Sequence, residues 1–322
     1  MQLNEIKRED MRSAYGSILA ELGDTNDKIV CVGADTTDSL KTKKFGDKFP
    51  QRFFNIGIAE ANLVSVAAGL ALYGKISFAS TYAAFLPGRC LDQIRNAICY
   101  PKLNVKLVVS HAGLTVGPDG ASHQQIEDLS TMRSIPNMNV IVPSDAFSVR
   151  KLIQNIVNIN GPCYVRLARP ASEIIYHNEN QRFDIGTGNI VNDGSDVTII
   201  ACGLMVSIAL SAAKQLQEKG ISCRVIDMYS IKPIGEKIII DSAKETGFIV
   251  TAEEHNIIGG LGSGVSEICS ENYPVPISRV GVNDTFGESA RDNEIDLLME
   301  SYGLSERNIV NTIIKLRAKN NK

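Results

Sequence analysis

Short apolar runs alternate along the chain with segments of helical periodicity. The runs that predict buried strands are KIVCVG (28–33), KISFAS (75–80), VKLVVS (105–110), NVIVPS (139–144), CYVRLA (163–168), DVTIIACG (196–203), SCRVIDM (222–228) and GFIVTAEE (247–254). Helices are predicted near 7–22, 58–72, 88–99, 146–158, 205–219, 261–271, 292–300 and 305–318. This alternation is typical of an α/β fold with mostly parallel sheets flanked by helices.

The alternation is interrupted once, by a polar segment that contains proline and glycine. This segment, ARPASEIIYHNENQRFDIGTG, spans 168–188, and the strand–helix pattern starts again after it. We therefore expect two α/β domains, 1–172 and 187–322, joined by a linker over 173–186. A length of 322 residues suits two domains of ordinary size.

Composition favours a packed, soluble protein and excludes little else. Hydrophobic residues make up 44% and charged residues 21%, and the net charge of -3 gives no reason to expect nucleic acid or a membrane surface as a partner. The first ten residues, MQLNEIKRED, have no apolar signal core, and no segment predicts a membrane span. The seven cysteines form no CxxC pair, so we expect reduced thiols in a cytoplasmic protein without a metal site.

One carboxylate stands in an unusually apolar stretch, NIGIAEANLVSVAAGLA (55–71). Glu60 is the only Asp, Glu, Lys or Arg between Phe53 and Gly74. A buried helix does not tolerate such a residue unless a partner pairs with it or it stays protonated. An exposed face, a structural hydrogen bond and a working acid or base all remain open from this stretch alone.

A glycine-rich loop with two histidines follows the predicted strand VKLVVS. His111 opens the loop, and Asp119 and His123 lie within it. Ligands of open parallel sheets bind beyond the carboxyl ends of the strands, and histidine is suited to proton transfer near neutral pH. The alternatives are ordinary loop hydrogen bonds or a metal pair, but a spacing of twelve with no further Cys or His nearby is poor ligand geometry. The position after a strand favours a catalytic role.

Three stretches in this half of the chain resemble the pyrimidine-binding domain of transketolase: RFFNIGIAEANLVSVAAGLA, STYAAFLPGRCLDQIRNA and SHAGLTVGPDGASHQQIEDL. A fourth, IVTAEEHNIIGGLGSGVSE (249–267), resembles the transketolase C-terminal domain. The similarity covers nearly the whole chain. Enzymes of this type hold diphosphate and a divalent metal with a GDG motif and a later Asn in a separate domain, and no GDG occurs here. The resemblance therefore implies the C-terminal half of a split transketolase, inactive alone.

The resemblance also implies a cofactor, thiamine diphosphate, with magnesium or calcium bound mainly by a partner chain. The glutamate that matches Glu60 bonds N1′ of the aminopyrimidine and favours the tautomer that generates the thiazolium ylid. Phe85 matches the aromatic residue that stacks on the pyrimidine. Tyr82 is its neighbour, for which core packing is an equal alternative, and Asp35 matches an aspartate close to the cofactor.

Substrate contacts are implied for six residues. Two arginines suit a sugar phosphate because each offers a planar fork of donors, although the alternative for the first of them is a solvated residue on a helix. The implied contacts are Arg12, Ser39 and Arg169 to the phosphate, His111 and His123 near the reacting carbons and the phosphate, and Asp119 to a hydroxyl group.

The implied reaction is transfer of a two-carbon ketol unit from a ketose phosphate to an aldose phosphate. The implied partners are an N-terminal transketolase subunit and a second copy of this chain, in a heterotetramer. A deoxyxylulose-phosphate synthase-like enzyme typically has Asp-Arg where Ser110-His111 stands here, and an oxoacid dehydrogenase beta-type subunit would lack the paired histidine loop. A scaffold subunit would need neither Glu60 nor Phe85. The string GGLGSG (259–264) lacks the dinucleotide-binding spacing and indicates a tight turn.

Overall fold

The computed structural model describes residues 7–320. Its strands are β1 (Arg8–Glu9), β2 (Ile29–Gly33), β3 (Phe53–Asn55), β4 (Ile76–Tyr82), β5 (Val105–Ser110), β6 (Asn139–Ile141), β7 (Cys163–Arg166), β8 (Ser172–Glu173), β9 (Asn189–Asn192), β10 (Val197–Ala201), β11 (Cys223–Asp227), β12 (Ser230–Lys232), β13 (Ile249–Asn256) and β14 (Ile277–Val282).

The helices lie between these strands. They are α1 (Met11–Thr25), α2 (Lys43–Lys48), α3 (Glu60–Leu72), α4 (Leu91–Gln93), α5 (Asp128–Ser134), α6 (Ala146–Val157), α7 (Met205–Gln217), α8 (Glu236–Thr246), α9 (Leu261–Asn272), α10 (Ile295–Ser301) and α11 (Glu306–Asn320). α4 continues into a π-helical segment, Ile94–Cys99, and short 3-10 turns occur at Pro50–Arg52, Ala83–Phe85 and Asp292–Glu294.

The first sheet of the described chain has the strand order β12-β6-β7-β5-β4-β2-β3 and is parallel except at β12. β2, β5 and β7 are buried along their whole length, because helices cover both faces of the sheet. Strands buried on both faces read as continuous apolar runs, which is why the sequence pattern predicted them.

The second sheet has the order β14-β13-β10-β11-β9 and is parallel except at β9. α7 and α11 pack on one another beside it, and α8 packs on α9. The predicted fold class, two mostly parallel sheets flanked by helices, is confirmed. The sequence pattern missed several elements, α8 and β14 among them, and it placed the start of α1 too early. α1 begins at Met11 because the Asp10 carboxylate caps it by accepting the Arg12 backbone N–H at 2.9 Å.

The two sheets are not independent, since β12 comes from the C-terminal half and pairs antiparallel with β6 in the first sheet. Between β8 and β9 the chain has no helix or strand over 174–188, in the region of the predicted linker. The exact domain boundaries remain predictions. All seven cysteines are free and buried, as expected. None of the helices in the described residues is long and apolar enough to cross a membrane.

Candidate active site at the carboxyl edge of the first sheet

The predicted site residues follow four strands that are neighbours in the first sheet. Asp35 follows β2, Phe85 follows β4, His111 follows β5 and Arg169 follows β7. Because these strands are parallel, their carboxyl ends meet at one edge. Residues far apart in the sequence are brought together there.

Glu60 is the first residue of α3 and is only 7% exposed, so the exposed-face alternative does not hold. Its partner is Arg89, whose Nη1 donates to Glu60 Oε1 at 3.2 Å. The Arg89 guanidinium also lies 4.2 Å from the centre of the Phe85 ring. Sequence reasoning did not single out Arg89, although it stands in the quoted motif STYAAFLPGRCLDQIRNA.

Glu60 and Phe85 define a slot, filled here by the Arg89 guanidinium, that accepts a planar group carrying N–H donors. One edge of the group meets a buried carboxyl, and one face meets an aromatic ring. The surroundings are apolar: Cys90, the residue after Arg89, has its thiol pKa raised to about 11, first by burial and then by the Glu60 charge. An aminopyrimidine has the same planar shape and the same need for a carboxyl at its edge. The residues therefore fit the pyrimidine end of thiamine diphosphate.

A chain of ring contacts joins this slot to residues 111–124, the loop that carries His111 and His123 and is here called the histidine loop. Tyr82 stacks on His111 with the ring centres 3.9 Å apart, and on Phe85 at 5.7 Å. Phe85 meets His123 edge-on at 5.1 Å. The Tyr82 hydroxyl donates to Ser39 Oγ at 2.9 Å. The structure thus brings five predicted site residues into one contact network.

His111 is held in a strained and buried position. Its φ of 59° lies in the left-handed region, and its Nδ1 is 2.7 Å from the Ser110 hydroxyl. Burial, together with the positive charges of Arg12 and Arg169, lowers the pKa of the imidazole to about 3. His111 is therefore neutral at physiological pH.

The two arginines that influence His111 are not solvated surface residues. The Arg12 side chain is 17% exposed; its Nε donates to Asp10 Oδ1 at 3.0 Å, and its Nη1 lies 3.5 Å from the Ser39 carbonyl. The Arg169 side chain is 26% exposed, and its Nη1 donates to Asp292 Oδ1 at 2.6 Å. Two guanidinium groups with ordered partners make this end of the site suitable for an anion.

The two predicted aspartates lie on the exposed rim. Asp35 has a φ of 57°; its N–H donates to Asn55 Oδ1 at 3.0 Å, and Asn55 Nδ2 donates back to Asp35 Oδ1 at 3.3 Å. Asp119 is exposed between Gly117 and Gly120, which both have positive φ. The rim position leaves both carboxylates accessible to a bound molecule.

The C-terminal half contacts the histidine loop through the buried stretch TAEEH (251–255) on β13. Glu254 Oε1 accepts the Thr115 N–H at 2.8 Å, and the Glu254 carbonyl accepts from buried Arg166 at 2.9 Å. Burial raises the pKa of the Glu254 carboxyl. The preceding Glu253 accepts the N–H groups of Leu261 and Gly262 at the start of α9. This stretch therefore has a structural role within the described chain.

Within residues 7–320, no group of three His, Cys, Asp or Glu side chains is arranged to hold a metal ion. The cationic end of the site and the pyrimidine-type slot are the two binding features that the contacts define.

Comparison with known proteins gives one family for both halves. Residues 7–173 match the transketolase pyrimidine-binding domain, and residues 186–309 match the transketolase C-terminal domain. A putative transketolase C-terminal section of Methanocaldococcus jannaschii is 48% identical over 95% of this chain and 95% of its own length. A 6-deoxy-6-sulfo-D-fructose transketolase subunit of a Clostridium species is 41% identical over 95% of this chain and 94% of its own length.

A solved structure agrees with the sequence comparison. A split gene transketolase, described as an inactive beta4 tetramer, superposes with a TM-score of 0.88 at 50% identity, and covers 95% of this chain and 97% of that chain. The matches span both domains, in the order that the sequence motifs predicted. The chain therefore belongs to the transketolase family, and it carries the pyrimidine-binding and C-terminal domains of a split transketolase.

Proposed function

We propose that this chain is the C-terminal subunit of a transketolase that transfers a two-carbon ketol unit from a ketose phosphate to an aldose phosphate. The observation that carries the proposal is the slot formed by Glu60 and Phe85, in which a planar guanidinium already meets both groups. The charges of Arg12 and Arg169 act on His111, which belongs to the same ring network, and a sugar phosphate needs cations of this kind.

Glu60 would hold the pyrimidine ring of thiamine diphosphate by a proton shared with a ring nitrogen, and Phe85 would stack on its face. Arg89 has to release Glu60 before the cofactor binds. The Arg89 guanidinium and the pyrimidine ring both need Glu60 Oε1 and the face of the Phe85 ring. When bound, thiamine diphosphate supplies the nucleophilic carbon for cleavage of the carbon–carbon bond. Tyr82 would hold the rings of Phe85 and His111 in position by stacking on both. Asp35 would face the cofactor from the rim.

The substrate would lie along the line from the slot to the two arginines. His111, neutral because of burial and nearby positive charge, would donate or accept a hydrogen bond at the oxygen atoms next to the reacting carbons. His123 and Asp119 would contact hydroxyl groups along the sugar. Arg12, Arg169 and Ser39 would hold the terminal phosphate, which orients the sugar and fixes the distance to the reacting carbon.

A partner chain would complete the enzyme. The proposed N-terminal subunit would hold the diphosphate and a magnesium or calcium ion with its GDG motif. One relative of known three-dimensional structure is named as a split gene transketolase whose beta4 tetramer is inactive, which supports a requirement for a second kind of chain.

A second copy of this chain is the other proposed partner. α3 and the π-helical segment pack on one another, and large apolar side chains near their ends are exposed: Ile58, Leu72, Tyr73 and Tyr100. Exposed apolar surface of this kind is typical of an interface between subunits. Pairing through this face would join two copies, and each copy could still bind an N-terminal subunit.

Co-expression with a candidate N-terminal subunit tests the proposal. The mixed complex should transfer ketol units from a ketose phosphate to ribose 5-phosphate when thiamine diphosphate and magnesium are added, and each chain alone should not. Activity of this chain alone, or a complex that forms but decarboxylates pyruvate-type 2-oxo acids without transferring ketol units, would contradict the proposed reaction.

A further inference from the structure

A segment of the C-terminal half reaches into the site. Residues 283–294, here called the β14–α10 segment, lie against the histidine loop. The Ala290 N–H donates to the Gly117 carbonyl at 3.3 Å, and Gln124 Nε2 donates to the carbonyls of Leu114 and Glu288, both at 2.9 Å. These contacts lie along residues 114–124, so the segment covers one side of the histidine loop.

Two glycines of the histidine loop allow this close approach. A Cβ atom at Gly117 would lie 2.9 Å from Asp292 Oδ1 and 3.1 Å from Arg169 Nη1, and one at Gly120 would lie 2.2 Å from the Ser289 hydroxyl. Both glycines also have positive φ, which disfavours any side chain. A larger residue at Gly117 would force the Asp292 or Arg169 side chain to move, and one at Gly120 would force the Ser289 side chain to move.

Asp292 is the residue of the segment that meets the site chemically. Its Oδ1 accepts from Arg169 Nη1 at 2.6 Å, and this hydrogen bond, together with the Arg169 charge, holds the pKa of the carboxyl below its usual range. The Asp292 side chain is 66% exposed, whereas Arg169 is mostly covered. A solvated carboxylate thus occupies a donor of the guanidinium that faces the site, and it can leave that donor without losing access to water.

We propose that Asp292 is a specificity-determining residue that competes with the terminal anion of the substrate for Arg169. This inference rests on the proposed role of Arg169 as a phosphate ligand. A phosphate dianion offers more charge and more acceptor oxygens than one carboxylate, so it displaces Asp292, whereas a sugar that ends in a neutral hydroxyl does not. Through Asp292, the C-terminal domain thereby selects against substrates whose terminal group carries little or no negative charge.

The test measures binding of ribose 5-phosphate and ribose to the full chain by calorimetry at low ionic strength. Asp292→Asn should bind ribose 5-phosphate about two- to fivefold more tightly than the wild type, the range for an exposed ion pair, and should bind ribose unchanged. Asp296→Asn is the matched control, because it removes another exposed carboxylate four positions away on α10. It should leave both affinities unchanged.

Arg169→Ala distinguishes the phosphate role of Arg169 from the competition by Asp292. If this variant loses affinity for ribose 5-phosphate but Asp292→Asn binds it no better than the wild type, Asp292 does not compete and the inference is wrong. If Arg169→Ala binds ribose 5-phosphate as well as the wild type, or if no form of the chain binds it, the proposed phosphate role of Arg169 fails and the inference fails with it.

Discussion

Replacement of Asp227 by Asn tests how the junction between the two halves of the chain is held. Asp227 ends β11 and is completely buried. Its Oδ2 accepts from the Ser144 hydroxyl at 2.6 Å and from the Tyr176 hydroxyl at 2.7 Å, whereas its Oδ1 has no hydrogen-bond partner. Three segments of the chain therefore meet at one carboxyl group.

Burial raises the pKa of Asp227 to about 7, although the two hydroxyl donors lower it; the nearby Asp145 adds to the rise. The unfolded chain loses this proton near pH 3.8, the ordinary value for the group, but the folded chain keeps it until about pH 7. The native state thus binds more protons between these limits, so the free energy of unfolding falls as the pH rises through this window. A difference of about three pKa units corresponds to about 4 kcal/mol.

Asparagine keeps an acceptor for both hydroxyls and cannot ionise, so Asp227→Asn should lose this pH dependence. Urea unfolding at fixed protein concentration is the assay. The stability of the variant relative to the wild type should improve by up to about 4 kcal/mol between pH 4 and pH 8, and the exposed control Asp27→Asn should show no such trend. Parallel pH profiles of wild type and Asp227→Asn would refute the reasoning.

Three further predictions concern assembly and the site. A double substitution, Leu72→Glu with Tyr73→Glu, should reduce the assembly size seen by light scattering, because both side chains are exposed at the end of α3. The control Ile190→Glu on β9 should leave the assembly size unchanged. An unchanged mass in the double variant would argue against this interface. Arg12→Ala should raise the Michaelis constants for phosphorylated sugars roughly ten- to hundredfold and spare hydroxypyruvate as donor in the mixed complex, whereas equal damage to both would point to a structural role. The pKa of His111, about 3 because of burial and nearby arginines, should rise when inorganic phosphate binds, and an NMR titration that shows no rise would contradict an anion site beside it.

The central strands could be predicted because their physical signal is local. β2, β5 and β7 are buried on both faces, so nearly every position carries an apolar residue. α8 and β14 were missed because they mix buried and exposed positions, and the pattern is diluted by charged residues. The pairing of β12 with the first sheet depends on a contact between the two halves, which no local pattern records.

The site residues could also be predicted only in part, because local motifs identify them but tertiary contacts decide their partners. The motifs indicated which residues belong to it, and the rule for parallel strands indicated the edge at which they meet. The pairing of Glu60 with Arg89 could not be predicted from spacing, because 29 residues and a loop separate them. Arg169 and Asp292 are 123 positions apart and lie in different halves. Such ion pairs are set by the tertiary fold, and they decide which charges a substrate meets.

The measurement that tests the central claim most directly is the exchange of the cofactor's C2 proton with deuterated water in the mixed complex, compared between wild type and Glu60→Gln. The amide has nearly the same shape but cannot share a proton with the pyrimidine ring. The account predicts that Glu60→Gln folds, assembles and binds ribose 5-phosphate like the wild type, but loses most of the exchange. Exchange at the wild-type rate in this variant would contradict the role of Glu60 and with it the proposed reaction.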